Sequence, residues 1–529
     1  MTLSEAAEIG QVVAGRTLLH AFHDNARDHP DLPALKWRDG TQWSSFTWRE
    51  YRAEVEAATL GLVEVGVRPG DRVGVLMSNR PELAVADLAL LHARAVPVCL
   101  FDSFTGAQLS TVLRTLGIGL VIVEDGAAAA RLAAATPAGA LRFIVVEGGG
   151  WERVMAAGRE VAARDGDAFD RSWRAARPDD VVSVNYTSGT TGALKGVQHT
   201  HGNVLWHAES FGRFWPVAPG TRFLAYLPRA HATERFVTTW YPLVRAGTVH
   251  LCPDPGRLPE YLPDVRPQFF GGVLRVWEKL YAARALAGLE ECAFAFSGGG
   301  ALAEPVQEYF NAAGVPLAEG WGQSELVSAA TCGHPDRIRI GTSGRALPGV
   351  EVRTAGDGEL LVRSGSRMLG YVDTPSHVDE GGWAHTGDLG EIDPDGYVRV
   401  HGRREEVFPL AGGHRVPATR VESHLRANLL VDQACVVGEG EPDLHALLVV
   451  AAPPDRWTVD DLAAMVAAAN ERLPVGDRIA RFAVLTERWE PGRAEELTHT
   501  GKLKRQLIEA KHADLVAALR RGDAGVAVP

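Results

Sequence analysis

Between Phe46 and Val146 the chain alternates short β-branched runs with helix-like stretches, and no other feature limits its possible folds so strongly. A helix pattern leads into the turn GVRPGD, then an apolar run from Arg72 to Met77, then a further helix pattern. Asn79 and Pro81 suit the start of that second helix, one by capping and the other by its fixed φ. Residues 83–101 are the most apolar of the chain. Asp87, His92 and Arg94 interrupt them, so they read as a buried helix feeding a strand and not as a membrane span. Residues 120–123 and 141–146 read as more strands, bounded by alanine-rich helical sequence such as 127–135. Strands separated by helices predict an open α/β sheet, mostly parallel, with both faces covered.

After Gly341 the rhythm changes. Runs at 350–353 and 359–362 flank TAGDG, and runs at 389–392 and 397–400 flank DPDG, so Asp-Gly turn chemistry predicts hairpins and smaller antiparallel sheets. From Arg403 a compact α+β module follows, with a helix near 417–428, strands at 434–437 and 446–450, and a helix from about Asp460. A strand at 481–485 and a last helix from around Lys502 complete it. The charged run GRREEV, where a strand ends, sets a boundary at 402–404 and divides the chain into residues 1–402 and 403–529. A chain of 529 residues, 46% apolar, exceeds the size at which single cores stop growing, which agrees with two domains.

The formal charge of −12 argues against a nucleic-acid or anionic-membrane partner. Five scattered cysteines without C-x-x-C spacing indicate reduced thiols and no structural zinc. The first residues carry acids at once and no apolar signal segment, so the sequence reads as soluble and cytoplasmic.

Chemistry concentrates in YTSGTTGALKGVQHTHGN, residues 186–203. An apolar run breaks into Thr187, Ser188, Gly189, Thr190, Thr191 and Gly192, followed by Lys195 and Gly196. Glycines let backbone N–H groups turn inward, four hydroxyls add donors and one lysine adds charge, a set suited to a polyphosphate. It is not a Walker A loop, because Lys195 follows Gly192 by three and precedes a glycine. In AFSGGGAL, Gly298, Gly299 and Gly300 follow a strand, and their missing side chains allow a flat ring to approach the backbone. In EGWGQSE, Gly320, Trp321, Gly322, Gln323, Ser324 and Glu325 follow another. An acid such as Glu325 beside polyphosphate calls for a bridging hard cation, Mg²⁺. Asp388 sits in the tight turn HTGDLG, where it could also be a simple turn cap. Trp321 is equally readable as a core residue or a ligand-facing ring. Arg229, in LPRAHATERF, needs an anion or a carboxylate such as Glu234. Histidines 199, 201 and 207 read as capping or pocket residues. No G-x-S-x-G elbow is present, which sets a serine hydrolase aside.

These strings together resemble the adenylate-forming enzymes, over about residues 17–519 and in that family's order, with Leu194 where the family usually has proline. LPRAHATERF, LRVWEKLY and LTHTGKLKR are most similar to the long-chain acyl-CoA synthetase branch. The resemblance implies a large N-terminal domain of stacked α/β sheets with a small β-barrel-like part, a small mobile C-terminal domain, and an active site between them. It implies ATP and Mg²⁺ as cofactors, coenzyme A as co-substrate and a small-molecule acid as substrate. The 298–300 turn and residues 319–325 would flank adenine. Ser324 would stand where threonine is usual, Asp388 would take the ribose hydroxyls, and Arg403 would lie near ribose and phosphates. Lys502 would be the catalytic lysine at the α-phosphate, with Lys504 and Arg505 merely solvated. His231 would lie at the acid site, Glu234 and Glu325 would hold the metal, and Glu405 would be the hinge. The loop PLAGGHR, residues 409–415, would face the thiol.

Two departures bear on the acid. Only residues 282–292 separate VWEKLY from AFAFSGGG, where the long-chain enzymes carry an extended helical segment, which favours a shorter acid or a differently built pocket. Arg229 and the surrounding histidines also make the acid end polar. Besides acyl-CoA ligation, the pattern admits a diazotase that adenylates nitrite for an aromatic amine, or an acyl-AMP ligase loading an acyl carrier protein. Acid length, acceptor and oligomeric state stay open.

Overall fold

The computed structural model describes residues 4–188, 194–373, 378–428, 430–450, 456–490, 496–498, 501–523 and 525–528. Its first sheet is the one the alternation predicts: Val96–Cys99, Arg72–Leu76, Leu120–Val123 and Arg142–Val145, all parallel. The helix Pro81–His92 is buried along every residue from Leu83 onward, which explains its continuous apolar run. Pro81 opens it as expected, but its N-cap is Arg80. The Asn79 amide instead donates to the Leu227 carbonyl at 2.9 Å, tying this layer to the next. Helices Trp48–Glu64 and Gly150–Arg164 cover the sheet back to back. A Cβ on Gly158 would stand 1.7 Å from the Ala57 carbonyl oxygen, so only glycine permits this approach.

The second sheet has nine strands, with Arg222–Ala225, Phe269–Val273, Phe294–Gly298 and Leu317–Gly322 side by side and parallel at its centre. Their C-terminal ends therefore open along one edge, where open α/β sheets bind ligands. Val181–Ser188 folds back antiparallel onto Leu194–Thr200, and Gly370–Tyr371 adds to the far side of that pair. The expected hairpins form one four-stranded antiparallel sheet: Glu351–Thr354, Glu359–Arg363, Ala384–Ile392 and Val398–Arg403.

Beyond that sheet the chain builds a separate core, with Ala418–Arg426 and Val459–Glu471 packed against strands Val431–Val437, Leu444–Val450 and Ile479–Leu485. Ion pairs join it to the rest: Arg420 to Glu304 at 2.9 Å, Arg472 to Glu308 at 3.1 Å, and the buried Arg426 to Glu278 at 3.3 Å. Arg505 is corrected here. It is not solvated but pairs with the buried Glu422 at 2.6 Å and donates to the Val436 carbonyl. Among the described residues no helix is long and apolar enough to cross a membrane.

Candidate active site

Asp388 organises the strand ends. It lies on Ala384–Ile392 directly opposite Arg403, the last residue of Val398–Arg403. Gly387, at φ +70°, turns the backbone just before it. Arg403 forms an ion pair with Asp388, Nε lying 3.1 Å from Oδ1, while Trp321 Nε1 and Gln323 Nε2 donate to Oδ2 at 2.8 and 2.9 Å. Gln323 and Arg403 also share the Thr386 carbonyl, at 2.6 and 2.9 Å. Burial opposes the Arg403 charge, but Asp388 and then Glu325 raise its pKa on balance. Trp321 is a buried ring whose N–H holds the Asp388 carboxylate.

Beside this group, Tyr371 donates its hydroxyl to Glu325 Oε1 at 2.7 Å, and the Lys195 ammonium lies 5.4 Å from the centre of the tyrosine ring. Lys195 and Tyr371 come from the paired strands Leu194–Thr200 and Gly370–Tyr371. Burial, and then Glu325, push the Tyr371 phenol up, so it stays a donor. His199 Nε2 meets the Ser324 carbonyl at 2.7 Å and holds the short turn Ser324–Leu326 against the same strand. Thr187 ends the neighbouring strand and pairs with Lys195. Gly189, Thr190, Thr191 and Gly192 lie outside the described residues, as does the side chain of Ser188.

The 298–300 turn leaves open space at its first two glycines, whereas a Cβ on Gly300 would stand 3.3 Å from Leu274 Cδ2. A Cβ on Gly298 would meet nothing nearer than the Phe296 ring at 3.6 Å, and one on Gly299 nothing nearer than 4.0 Å. A Cβ on Gly322 would lie 1.9 Å from the Ser328 carbonyl oxygen, whereas one on Gly320 would meet nothing nearer than the Thr331 carbonyl oxygen at 3.4 Å. Behind the turn, Gly298, Gly272, Phe296, Val237, His231 and Glu234 line a cavity of about 20 Å³, room for about one water. Burial pushes the Glu234 carboxyl up to about 8, despite the Thr238 hydroxyl bonded to it at 3.0 Å. A cavity of about 640 Å³ beside Arg213, His334 and Arg345 takes in none of the residues the sequence singles out.

Lys502 stands apart from this cluster. It is exposed in a turn, its N–H donating to the Thr498 hydroxyl at 3.0 Å, and no contact among the described residues brings it to Asp388 or Arg403. Glu405 is exposed in the turn following Arg403, and the 409–415 loop bridges the two short strands Val407–Pro409 and Arg415–Pro417.

Sequence reasoning misses Tyr371 and the buried pair Arg235–Asp87. Tyr371 has no local signal, because its partner lies 46 residues away. His199 and His201 are buried, His199 against the Ser324 carbonyl and His201 accepting from the Leu18 N–H at 3.2 Å, and both nitrogens of the buried His207 lack a partner among the described residues.

An AMP-binding enzyme family model matches residues 22–372, and a model of the AMP-binding enzyme C-terminal domain matches 405–523. A putative fatty-acid–CoA ligase, fadD11 of Mycobacterium tuberculosis, is 33% identical over 434 residues, covering 66% of this chain and 76% of the relative. The long-chain-fatty-acid–CoA ligase FadD15 of Mycobacterium bovis is 29% identical, covering 94% of this chain and 96% of its own. Among solved structures, the anthranilate CoA ligase AuaEII with anthranoyl-AMP superposes with a TM-score of 0.80 at 20% identity, over 95% of this chain and 98% of that one. O-succinylbenzoate coenzyme A synthetase of Bacillus subtilis, in complex with AMP, gives 0.75 at 22% identity, over 92% and 97%.

Proposed function

The chain belongs to the family of AMP-binding enzymes, and from that premise we propose that it activates a small carboxylic acid with ATP and passes the acyl group to coenzyme A. The observation that carries this reading is the Asp388 carboxylate, clasped by Arg403, Trp321 and Gln323 beside the open turn at Gly298–Gly300. Donors that fix a buried carboxylate, next to backbone that a ring can approach, suit the ribose and adenine of a nucleotide. Residues 1–402 carry this site in the proposal, and residues 403–529 bring Lys502 to it by turning about Glu405.

In the first half-reaction a carboxylate oxygen forms a bond to the α-phosphorus and the bond to pyrophosphate breaks. Lys195, Arg403 and Lys502 are the cations that face the charge shifting over the phosphates, with the hydroxyls of Thr187, Ser188, Thr190, Thr191 and Ser324 as shorter donors. His231, on the wall of the small cavity behind Gly298, lies at the acid site in this proposal. In the second half-reaction a thiol sulfur forms a bond to the acyl carbon and AMP leaves. The loop at 409–415, open around Gly412 and Gly413, admits the pantetheine arm.

Among the described residues no three His, Cys, Asp or Glu side chains gather into a metal cage. A cation held mainly by Glu325 therefore keeps water and phosphate oxygens as its other ligands, which is the habit of Mg²⁺, and it would neutralise phosphate charge. Glu234 joins that shell only where cation charge offsets the burial that keeps its carboxyl protonated. The small cavity and Arg229 favour a short or polar acid over a long alkyl chain.

The test is acid-dependent release of pyrophosphate and AMP from Mg-ATP, with short, long and aromatic acids and nitrite. Each is run alone, with coenzyme A and with an aromatic amine. Turnover that rises with coenzyme A and yields a thioester by mass supports the ligase. Turnover only with nitrite and an amine replaces it by a diazotase, and indifference to coenzyme A points to a carrier protein.

A further inference from the structure

Two opposite charges of the candidate site, Lys195 and Glu325, share one aromatic neighbour. The Tyr371 hydroxyl donates to Glu325 Oε1 at 2.7 Å, and the Lys195 ammonium lies over the same ring, 5.4 Å from its centre. Among the described residues Glu325 Oε2 takes no hydrogen bond, and neither Glu325 nor Lys195 enters an ion pair. An ammonium and a carboxylate this close to a common group attract each other. The tyrosine offers each an alternative. Its negative ring face suits the cation, and its O–H suits a carboxylate, which can only accept.

Backbone bonds hold the three parts in place without help from that side chain. Gly370–Tyr371 pairs with Leu194–Thr200, the strand that carries Lys195. The Leu369 and Val372 N–H groups donate to the Gln198 and Gly196 carbonyls, each at 2.9 Å. The Met368 N–H donates to the Glu325 carbonyl at 2.8 Å, and the Gln198 side-chain amide donates to the Tyr371 carbonyl at 3.2 Å. The hydroxyl's contribution is therefore separable from the fold. It fixes the rotation of the Glu325 carboxylate and leaves Oε2 for another partner. Carboxylates that ligate a metal are commonly held by such a hydrogen bond.

We propose that Tyr371 is a positioning residue for ATP activation: its hydroxyl orients Glu325 for the magnesium ion, and its ring keeps Lys195 from neutralising that carboxylate. The inference rests on the acid-activating reading above, with Glu325 as the carboxylate of the metal, and adds the residue that acts through it.

Two readouts test it in the full chain. One is the melting-temperature shift produced by ATP in EDTA and by ATP with rising Mg²⁺. The other is the free Mg²⁺ required for half-maximal acid-dependent pyrophosphate release at saturating ATP. Wild type is compared with Tyr371→Phe, Tyr371→Leu, Glu325→Gln and the double variant Tyr371→Phe with Glu325→Gln. Tyr371→Phe keeps the ring, so the ATP shift in EDTA should match wild type. Its Mg²⁺ midpoint should rise about 10- to 100-fold in both readouts, the usual cost of removing a ligand's hydrogen-bond partner. Tyr371→Leu should also shrink the ATP shift in EDTA, because Lys195 can then turn onto Glu325. The double variant should need no more Mg²⁺ than Glu325→Gln alone, since the hydroxyl acts through that carboxylate.

An unchanged midpoint in Tyr371→Phe, with Glu325→Gln strongly shifted, overturns the inference and leaves the metal assignment standing. A further rise in the double variant overturns it too, because the hydroxyl then acts elsewhere. If Glu325→Gln leaves the Mg²⁺ requirement unchanged, the metal assignment falls and takes the inference with it. If no acid supports pyrophosphate release, the acid-activating reading falls, and the Mg²⁺-dependent melting shifts decide the role of Tyr371 separately. Should Tyr371→Leu fail to fold, Tyr371→Phe and the double variant decide.

Discussion

Replacing Asp388 by asparagine tests the centre of the site with almost no change of shape. The carboxylate pairs with the Arg403 guanidinium through Oδ1 and accepts from Trp321 and Gln323 on Oδ2. An amide has one oxygen to offer. Turned toward Trp321 and Gln323, it points its NH₂ at the Arg403 guanidinium; turned toward Arg403, it points the NH₂ at two N–H donors. The first orientation sacrifices fewer bonds and loses the Arg403 pair. A hydrogen bond to a charged group contributes about 1.5–3 kcal/mol, so kcat/KM for ATP should fall roughly 10- to 150-fold. Combining Asp388→Asn with Arg403→Met should cost less than the sum of the single effects, because the shared bond can be lost only once. The assay is the ATP dependence of acid-supported pyrophosphate release, with circular dichroism and melting temperature confirming the fold. A change below about 3-fold at unchanged melting temperature, or strict additivity in the double variant, would refute the reasoning.

Gly298→Ala should leave the melting temperature within a degree or so, since the added methyl meets nothing nearer than 3.6 Å. It should raise the KM for ATP several-fold, and an unchanged KM would place the nucleotide elsewhere. Asp87→Asn leaves Arg235 buried without its counterion, so the large domain should lose about 3–5 kcal/mol in urea unfolding. Asp87→Leu with Arg235→Met should recover much of that, and a single-variant cost below about 1 kcal/mol counts against the pair. Burial lowers the His207 pKa from 6.5 to about 3, so the native state holds fewer protons than the unfolded state between those values. Stability from this group is therefore present above pH 6.5 and is lost as pH falls toward 3. His207→Leu, which also removes two unpartnered nitrogens, should gain about 2 kcal/mol on wild type between pH 6.5 and 5. Parallel melting curves for the two proteins across that range would contradict it.

The strands and hairpins are legible in the sequence because their signals are local. The runs at 72–76 and 120–123 and the turns TAGDG and DPDG need no distant partner to be recognised. Gly298 and Asp388 stand out as candidates because the surrounding strings are long and ordered. What escapes depends on contacts far apart in the chain. Asn79 reads as a cap, but its amide partner lies 148 residues away and Pro81 starts the helix without a side-chain cap. Arg505 reads as solvated beside Lys502, and only the fold sets Glu422, 83 residues earlier, against it. Trp321 gives no local sign of the bond its N–H makes to Asp388, 67 residues away, because an indole ring suits stacking and burial equally. The π-turn at Phe236–Trp240 has no compositional mark in FVTTW.

All five cysteines are free and buried. Burial raises the Cys99 pKa, and it pushes Cys252 up to about 11 and Cys292, Cys332 and Cys435 up to about 12. At neutral pH the protein therefore holds almost none of its own sulfur as thiolate, the form that attacks. A catalyst that makes a reactive acyl group and waits for an external thiol is, by this arrangement, protected from acylating itself.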